Sequence, residues 1–346
     1  MKRFKRPEDI KVGAVGYGGA FNMGAAHLNE MKKAGMTPVA VAEPDEARRK
    51  VAEKDFPGIQ TFPSVTEMLK KSDVNLLAII TPHNTHARLA MQCLNAGRHV
   101  VCEKPLAITT EECDKMIAAA KKSGVVLSTY HNRHWDGWIL NGVKQIKEQG
   151  VIGDVIRIEA RMCGYGKPGD WWRTSKSISG GILYDWGVHL LEYALQLIDS
   201  EMVEVAGYAK TGFWAKETKW KDDTNEDEAI AMVRFKSGQW LQLHISSIDS
   251  FPKNDHGPLE ITGTKGTYIM GFGQWKTIVH AGGKTVTTTG GDPAGEGWKL
   301  YQNIADHLVK GKPLVITPEW ARRPIHILDL ANKSAKLGKA IKTRYK

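Results

Sequence analysis

A lysine fixed in front of a proline ends an apolar run at residues 99–104. Pro105 fixes its own backbone φ and restricts the preceding residue to extended geometry, so the pattern predicts a strand that presents Lys104 at its carboxyl end. Ligands of open α/β sheets bind at that edge. The ammonium group of Lys104 is therefore suited to stabilise negative charge on a reacting oxygen, although a lone lysine is also typical of a solvated strand end.

Asp185 and His189 form a second candidate pair. Their spacing, one helical turn, predicts that both project from one face of a helix. A histidine can accept and return a proton near neutral pH, and a base is required when a secondary alcohol loses its hydroxyl proton and a hydride. Asp185 could orient the imidazole or bind a substrate hydroxyl. Without Lys104 and the dinucleotide signals, the pair would indicate only an ordinary contact along a helix, which such pairs usually are.

A glycine-rich turn follows the first predicted strand, Val12–Val15. Gly16 permits a tight turn, Gly18 permits close backbone approach, and the N–H groups of the following helix can bind a pyrophosphate. Phe21 stands where a GxGxxG motif has its third glycine, and Gly24 is a displaced substitute. Alone, such a turn is weak evidence for a dinucleotide site.

Glu43 strengthens that evidence, because it ends the second predicted strand where a ribose-binding acid is expected. A carboxylate there accepts hydrogen bonds from ribose hydroxyls and repels a 2′-phosphate, which favours NAD over NADP. Arg48 and Arg49 follow and could offset this preference. We interpret them as solvated residues of the next helix, so we expect NAD as the cofactor and leave NADP open.

The first third of the chain alternates short apolar strands with helical segments, which is typical of a parallel sheet. We therefore expect an α/β fold with a Rossmann dinucleotide-binding domain at residues 1–128. The predicted strands are 12–15, 37–42, 76–80, 99–102 and 125–128, and the predicted helices are 20–34, 45–54, 85–96 and 110–123.

Successive strands with few helices between them follow residue 128. We expect residues 129–346 to form an α+β domain for substrate binding and oligomerisation, with an open, largely antiparallel sheet and a last helix that can pack on either domain. The predicted strands are 155–162, 203–211, 229–235, 240–246, 259–262, 267–270 and 277–280, and the predicted helices are 298–309 and 319–341.

Four motifs occur in the order seen in the glucose–fructose oxidoreductase, inositol dehydrogenase and MocA (Gfo/Idh/MocA) family, which the sequence resembles over nearly its whole length. The Glu-Lys-Pro motif at the end of its strand is far more specific than the glycine turn. The sequence departs from the family pattern at Phe21 and at Ile182, where many members continue a glycine run. The motifs are the Gly16-x-Gly18 turn and residues 81–86, 96–106 and 180–189.

The resemblance implies an NAD(P)-dependent oxidoreductase that transfers a hydride between nicotinamide and a secondary alcohol of a sugar, polyol or glycoside. It assigns Lys104, Asp185 and His189 to catalysis and implies a cis peptide bond between Lys104 and Pro105. Family members commonly use the C-terminal sheet for subunit contacts, so we expect a homodimer or homotetramer.

The other expected site residues follow predicted strands or lie in glycine-rich loops. Aromatic rings suit the C–H faces of sugars and polar side chains suit their hydroxyls, although surface or interdomain packing explains such clusters as well. No carboxylate cluster accompanies His83 and His86, so no metal site is predicted. We expect cofactor contacts from Gly16, Tyr17, Gly18, Gly19, Ala20, Phe21, Glu43, Thr81, Pro82, His83, Asn84, His86, Glu103 and Lys104. We expect substrate contacts from Lys104, His131, Arg133, Trp172, Arg173, Asp185 and His189.

The net charge of +10 belongs to the two ends of the chain. Without the ten basic residues within 2–6 and 333–346, basic and acidic residues are equal, at 38 each. A neutral body without a zinc-finger or RNA-binding motif gives no reason to expect a nucleic-acid partner. No apolar stretch is long enough for a bilayer and none follows the basic start, so we expect a cytoplasmic protein without membrane contact. Four scattered cysteines predict neither disulfides nor zinc.

Two alternative functions stay open. One is a redox-neutral glycosidase or epimerase-like reaction, in which retained NAD transiently oxidises a sugar carbon. The other is a non-catalytic, cofactor-sensing regulator, against which the presence of Lys104, Asp185 and His189 argues. Product analysis separates the first alternative from a dehydrogenase, because only the dehydrogenase forms reduced cofactor in proportion to substrate consumed.

Overall fold

Residues 4–19, 21–251 and 257–345 are described by a computed structural model, in which the chain divides into two units. The first unit comprises Met1–Asn132 and Trp298–Arg322, and the second comprises Arg133–Gly297 and Arg323–Lys346. Relative to the domain bounds expected from the sequence, the first unit ends four residues later than 128. It also includes residues 298–322, which those bounds place in the second domain.

The first unit is built on a six-stranded parallel sheet with the strand order β3-β2-β1-β4-β5-β6. This is the strand order of a Rossmann fold. The central strands are continuous apolar runs because helices cover both faces of such a sheet. The strands are β1 (Lys11–Val15), β2 (Thr37–Ala42), β3 (Gln60–Phe62), β4 (Leu76–Ile79), β5 (His99–Cys102) and β6 (Leu127–Thr129).

Helices connect these strands, and their ends follow local capping rules. Thr109 and Glu112 form a capping box at the start of α5, and Gly124 ends that helix with a φ of 63°. Asp45 caps α2 by accepting hydrogen bonds from two backbone amides. The helices are α1 (Met23–Lys33), α2 (Glu46–Asp55), α3 (Val65–Lys71), α4 (His86–Asn95) and α5 (Thr110–Ser123).

The second unit contains a nine-stranded sheet with the order β14-β13-β12-β11-β7-β10-β9-β8-β15. Only the β7–β10 pair is parallel among the described strand pairs of this sheet, which confirms an open, largely antiparallel sheet. Its helices begin with α6 (Gly137–Val143), α7 (Lys176–Ser179) and α8 (Gly187–Leu195). The strands are β7 (Val155–Cys163), β8 (Met202–Lys210), β9 (Glu228–Phe235), β10 (Trp240–Ser246), β11 (Leu259–Gly263), β12 (Gly266–Met270), β13 (Gln274–Ala281), β14 (Lys284–Gly291) and β15 (Ile341–Tyr345).

Two more helices, α9 (Lys299–Lys310) and α10 (Pro318–Leu337), complete the chain. The expected last helix, 319–341, is too long at its carboxyl end. Gly338 has a φ of 64°, a left-handed conformation that ends the helix. The following residues then pair with β8 as an antiparallel strand, through Ile341 and Val205 among others.

Helix α9 belongs with the first unit because its side chains complete that unit's core. Tyr301 is fully buried, and its hydroxyl lies 2.5 Å from His27 Nδ1. Farther along, the Ser128 hydroxyl donates to the carbonyl of Ile316 over 2.8 Å. These contacts explain why residues 298–322 do not group with the second sheet.

Candidate cofactor and substrate sites

The glycine turn after β1 has the conformation that its residues predict. Gly16, Gly18 and Gly19 have backbone φ values of 94°, 87° and 84°, which residues other than glycine rarely adopt. A Cβ on Gly16 would lie 2.4 Å from the carbonyl oxygen of Ile80, so no other residue fits there. Ala20, the next expected contact, lies outside the described residues.

Gly24 allows helix α1 to approach this turn closely. A Cβ at Gly24 would lie 2.7 Å from Tyr17 Cδ2 and 3.0 Å from the carbonyl oxygen of Gly16. The third glycine of a dinucleotide-binding turn serves the same close packing of helix and strand. The missing glycine at Phe21 is therefore compensated three residues later, and Phe21 itself is exposed.

Glu43 lies beside the turn, as the order of β1 and β2 requires. Its side chain is buried, with Oε2 accepting from the Tyr17 amide over 2.8 Å and Oε1 accepting from the Asp45 amide over 3.0 Å. Tyr17 is buried too, and its hydroxyl donates to Asp55 over 2.7 Å. A carboxylate has further lone pairs, so Glu43 can also accept from a ribose hydroxyl.

The two arginines after β2 have different surroundings. Arg49 donates to the carbonyl oxygens of Glu43 and Pro44 over 2.8 and 2.7 Å, so it braces the end of the strand. Arg48 lies over the glycine turn, with its Cδ 3.5 Å from the position of a Cβ on Gly18. Only Arg48 therefore carries its charge next to the turn.

His86 links the end of β4 to the proline after Lys104. Its Nδ1 lies 2.8 Å from the carbonyl oxygen of Pro105, and its Nε2 lies 2.8 Å from that of Thr81. Burial lowers the pKa of His86 below its ordinary value, against the effect of these hydrogen bonds. Both ring nitrogens thus contact groups of the first unit, which places His86 in a bracing position between two expected cofactor segments.

Glu103 and Lys104 follow β5, and the Lys104–Pro105 peptide bond is cis. Glu103 Oε2 accepts from the Lys104 amide over 2.9 Å, and Oε1 lies 3.0 Å from His27 Nε2. Burial raises the pKa of Glu103, but the hydrogen bond with His27 and the positive charges nearby lower it more. The net pKa lies below the ordinary value, so Glu103 is a carboxylate at neutral pH.

The remaining expected residues of the first unit differ in exposure. Pro82 is half-buried, His83 is buried and Asn84 is exposed. His131 follows β6 and is buried, with its amide donating to the Thr129 carbonyl over 2.8 Å. The carboxyl edge of the parallel sheet therefore carries the glycine turn, Glu43, residues 81–86, Glu103 with Lys104, and His131.

In the second unit, Asp185 and His189 do not share a helix as expected. Helix α8 begins at Gly187, so His189 lies in its first turn, whereas Asp185 follows a 3-10 turn at Ile182–Tyr184. A Cβ at Gly187 would lie 2.8 Å from Leu243 Cδ2, so the helix starts where glycine lets it pack on β10. Asp185 is thereby available to a partner outside the helix.

That partner is Arg173, another expected site residue. Arg173 Nη1 donates to both oxygens of Asp185, over 3.0 and 3.2 Å. The guanidinium also lies over the rings of Trp171 and Trp172, 5.1 and 5.3 Å from their centroids. The structure therefore brings Trp172, Arg173 and Asp185 together.

His189 is buried in an aromatic environment. Its ring centroid lies 5.7 Å from that of Trp186 and 6.2 Å from that of Tyr193, with a nearly parallel Tyr193 ring. The Arg133 guanidinium lies over the Trp186 ring, 5.2 Å from its centroid, and Arg133 Nη1 lies 3.1 Å from Asp136 Oδ2. Trp186 thus contacts two expected substrate residues, His189 and Arg133.

His27 is the functional candidate that the sequence analysis missed. A single histidine on a helix carries no spacing signal, because its partners Glu103 and Tyr301 are distant in the chain.

Within the described ranges, no group of three or more His, Cys, Asp or Glu side chains is arranged to hold a metal ion. Over the same ranges, no helix combines the length and apolar character needed to cross a membrane.

Comparisons with known proteins agree with this architecture. Residues 10–131 match the model of an oxidoreductase family with an NAD-binding Rossmann fold, and residues 141–269 match a GFO/IDH/MocA C-terminal domain. The chain is 26% identical to the scyllo-inositol 2-dehydrogenase (NADP(+)) IolW of Bacillus subtilis, covering 97% of this chain and 96% of that protein. It is 28% identical to the myo-inositol 2-dehydrogenase of Thermotoga maritima, covering 78% of each.

Among solved structures, an NAD-binding protein from Listeria innocua is similar over most of the chain. The two are 26% identical, with a TM-score of 0.78 and coverage of 98% of this chain and 97% of the other. Similarity on this scale extends through both units, since the aligned length leaves out neither of them.

Proposed function

The chain belongs to the Gfo/Idh/MocA family of oxidoreductases, and we propose that it transfers a hydride between a nicotinamide cofactor and a secondary alcohol of a sugar, polyol or glycoside. The observation that carries this proposal is the arrangement at one edge of the Rossmann sheet, where the glycine turn and Glu43 lie with Lys104. Two relatives are named for the dehydrogenation of an inositol, which is a cyclic polyol.

We assign the chemical roles to Lys104, His189 and Asp185. The ammonium of Lys104 donates to the reacting oxygen and stabilises its negative charge, and His189 accepts the hydroxyl proton. Nicotinamide supplies the hydride acceptor when it is bound. Arg173 engages both oxygens of Asp185, which supports a role in binding a second substrate hydroxyl over a role in orienting the imidazole.

Four more residues complete the proposed substrate site: His131, Arg133, Trp172 and Arg173. Planar rings and charged groups side by side suit the C–H faces and hydroxyls of a sugar ring. The Arg173 guanidinium lies over the rings of both Trp171 and Trp172, and these cation–π contacts favour its orientation beside Asp185. An apolar alcohol would displace water from these polar groups and offer them no hydrogen bond, which disfavours it as a substrate.

We propose NAD as the principal cofactor, with NADP as a second candidate. Glu43 supports NAD, because its carboxylate stands beside the turn and repels a 2′-phosphate. Arg48 supports NADP, because its side chain lies over the same turn. The relative from Bacillus subtilis is named for NADP(+), so both cofactors belong in the first assay.

We further propose a homodimer or homotetramer formed through the second sheet. Arg157, Glu159 and Arg161 share one face of β7, where Arg157 pairs with Glu159 and Glu260 over 3.3 and 3.6 Å and Arg161 pairs with Glu159 over 2.9 Å. These charges balance within the chain, which leaves a neutral, half-buried face that a second copy can cover. Light scattering tests this, and a monomer at micromolar concentration would contradict it.

A cytoplasmic location is also part of the proposal. It is supported by four cysteines, all within the described residues, that form no disulfide. Fractionation of the native cells tests it, and recovery of the protein outside the cytoplasmic fraction would contradict it.

The decisive experiment is a screen of sugars, polyols and glycosides with NAD and with NADP, followed through nicotinamide absorbance. We expect turnover with at least one of these compounds. We also expect the turnover rate to fall by about 100-fold or more in Lys104→Met. Full activity in a folded Lys104→Met protein would contradict the assignment. Reduced cofactor in proportion to substrate consumed excludes the redox-neutral alternative, and bound NAD released on denaturation without net reduction would favour it.

A further inference from the structure

We propose that His27 and Glu103 form a positioning pair that fixes Lys104 for catalysis. The proposal rests on the catalytic role of Lys104 given above and adds two residues that act through it. Neither His27 nor Glu103 needs to touch the substrate for this role. Their function is to hold the backbone of Lys104 at the end of β5.

The geometry is a continuous chain of hydrogen bonds through buried groups. The Tyr301 hydroxyl lies 2.5 Å from His27 Nδ1, His27 Nε2 lies 3.0 Å from Glu103 Oε1, and Glu103 Oε2 accepts from the Lys104 amide over 2.9 Å. His27 and Tyr301 are both fully buried, and the Glu103 side chain is 14% exposed. His27 on α1 therefore links α9 to the end of β5.

The hydrogen bond between His27 and Glu103 has a direction fixed by the chemistry of the two groups. Glu103 is ionised and can only accept, so Nε2 of His27 must carry the donated proton. Burial raises the pKa of Tyr301 well above its ordinary value, so its hydroxyl keeps its proton and shares a hydrogen bond with His27 Nδ1. The chain of hydrogen bonds leaves Glu103 negatively charged next to Lys104.

Loss of His27 leaves this carboxylate with an unmet hydrogen-bonding requirement. A buried charge without its donor is costly, so Glu103 would turn towards water or another donor and release the Lys104 amide. A displacement of about 1 Å at a catalytic group lowers the rate by about 100-fold. The position of His27 one helical turn after Gly24 also ties the pair to the glycine turn.

The test compares His27→Phe with His27→Gln. Phenylalanine fills the space without a donor, whereas the amide of glutamine can replace Nε2 and donate to Glu103. We expect kcat to fall about 10- to 100-fold in His27→Phe, with KM for cofactor and substrate nearly unchanged, and to recover largely in His27→Gln. A general loss of stability would not lower kcat at constant KM, and it would not explain the recovery of kcat in His27→Gln.

Tyr130→Phe is the matched control. The Tyr130 ring packs against His27 with centroids 4.1 Å apart and an angle of 49° between the rings, and its hydroxyl donates to Glu30 over 2.8 Å instead of to the Glu103 chain. Its removal is expected to lower thermal stability and leave kcat unchanged. If kcat falls as much in Tyr130→Phe as in His27→Phe, packing explains the effect and the positioning role is overturned.

Glu103→Leu keeps the inference testable if the His27 variants do not fold. It removes the acceptor for the Lys104 amide, and we expect kcat to fall without a change in KM, whereas Glu103→Gln keeps an acceptor for that amide and should retain more of the wild-type kcat. Wild-type kcat in folded Glu103→Leu or His27→Phe protein overturns the inference. Lys104→Met separates the two proposals. Activity retained in Lys104→Met contradicts the proposed function. Activity lost in Lys104→Met but fully kept in His27→Phe contradicts only the positioning pair.

Discussion

Arg173 determines what Asp185 is able to do. A guanidinium that donates to both carboxylate oxygens holds Asp185 in one orientation. In the proposed reaction Asp185 therefore accepts a hydrogen bond from the substrate with its remaining lone pairs, and proton transfer is assigned to His189.

Replacement of Arg173 by methionine should affect binding more than chemistry. Arg173→Met keeps most of the side-chain volume but frees Asp185 to rotate, so we expect KM for the sugar to rise about 10-fold. Initial-rate kinetics at saturating cofactor measure this. Arg234→Met, which removes an exposed arginine paired with Glu204, is the control. An unchanged KM in Arg173→Met would show that Arg173 does not shape the substrate site.

The different surroundings of Arg48 and Arg49 predict different effects on cofactor choice. Arg48→Ala should lower the ratio of kcat/KM for NADP to that for NAD by about 10-fold, because a cation beside the turn is lost. Arg49→Ala, which loses contacts with backbone carbonyls only, should reduce stability and keep the ratio. Equal ratios in both variants would exclude Arg48 as a contact for the extra phosphate.

At the scale of elements, β5 contains a histidine that must stay neutral. His99 is buried, and its Nδ1 accepts from the Val126 amide over 3.0 Å. Burial, followed by the charge of His307, lowers the pKa of His99 from 6.5 to about 4. The folded protein therefore leaves His99 unprotonated at a pH where the unfolded chain protonates it.

This difference predicts a pH-dependent free energy of unfolding. The unfolded state binds more protons between about pH 6.5 and 4, so the free energy of unfolding should fall as the pH decreases through that window, by up to roughly 3 kcal/mol. Urea unfolding across the window measures the slope. His99→Gln keeps an acceptor for Val126 but does not titrate, and the slope should be shallower. An identical slope would assign the effect to other groups.

Packing of α10 on the second sheet depends on a glycine in β8. A Cβ at Gly207 would lie 2.0 Å from the carbonyl oxygen of Ala331, and the Gly207 amide donates to Ser334 over 2.9 Å. Gly207→Ala should therefore lower the free energy of unfolding by about 1–3 kcal/mol through overpacking. Gly164→Ala, where nothing lies within 4 Å of the added carbon, is the control for chemical denaturation. Equal stability of the two variants would mean that α10 shifts without cost.

Elements with a strong pattern were predictable, and short or exposed ones were not. Runs such as Leu76–Ile79 are continuously apolar because both faces are covered. The three residues of β3 are too few to show a period, and the exposed Thr- and Gly-rich β14 lacks the alternation of a half-buried strand. The end of α10 depended on Gly338, which spacing alone does not distinguish from a tolerated glycine within a helix.

The candidate site was predictable where residues follow strands. Gly16, Glu43 and Glu103 lie at one sheet edge because parallel strands end there together. The partner of Asp185 is an arginine twelve residues away, and the partners of His27 are Glu103 and Tyr301. Such long-range partners leave no periodic signal in the sequence.

At the scale of the whole molecule, residues 298–322 complete the core of the first unit, whose last strand ends at Thr129. Besides Tyr301 and Ile316, Arg322 binds Asp114 through two hydrogen bonds of 2.6 and 2.9 Å. The Phe4 amide also donates to the carbonyl of Leu308 over 3.1 Å. The first unit is therefore discontinuous in sequence.

A fragment ending at Asn132 should fold poorly for this reason. It leaves the site of Tyr301 empty beside His27, which exposes apolar surface and an unmet polar group. Joining residues 298–322 to it through a flexible linker should restore a cooperative urea transition, measured by circular dichroism. Equal cooperativity with and without the segment would show that it is dispensable for the first unit.

The discontinuity also separates the order of synthesis from the order of folding. The nascent chain emerges from its amino end. The six strands of the parallel sheet are therefore synthesised long before α9, the helix that carries the buried Tyr301. The core of the first unit therefore lacks α9 while β7 to β14 of the second sheet are translated. Chaperone demand during translation should therefore be highest between the emergence of β6 and that of α9.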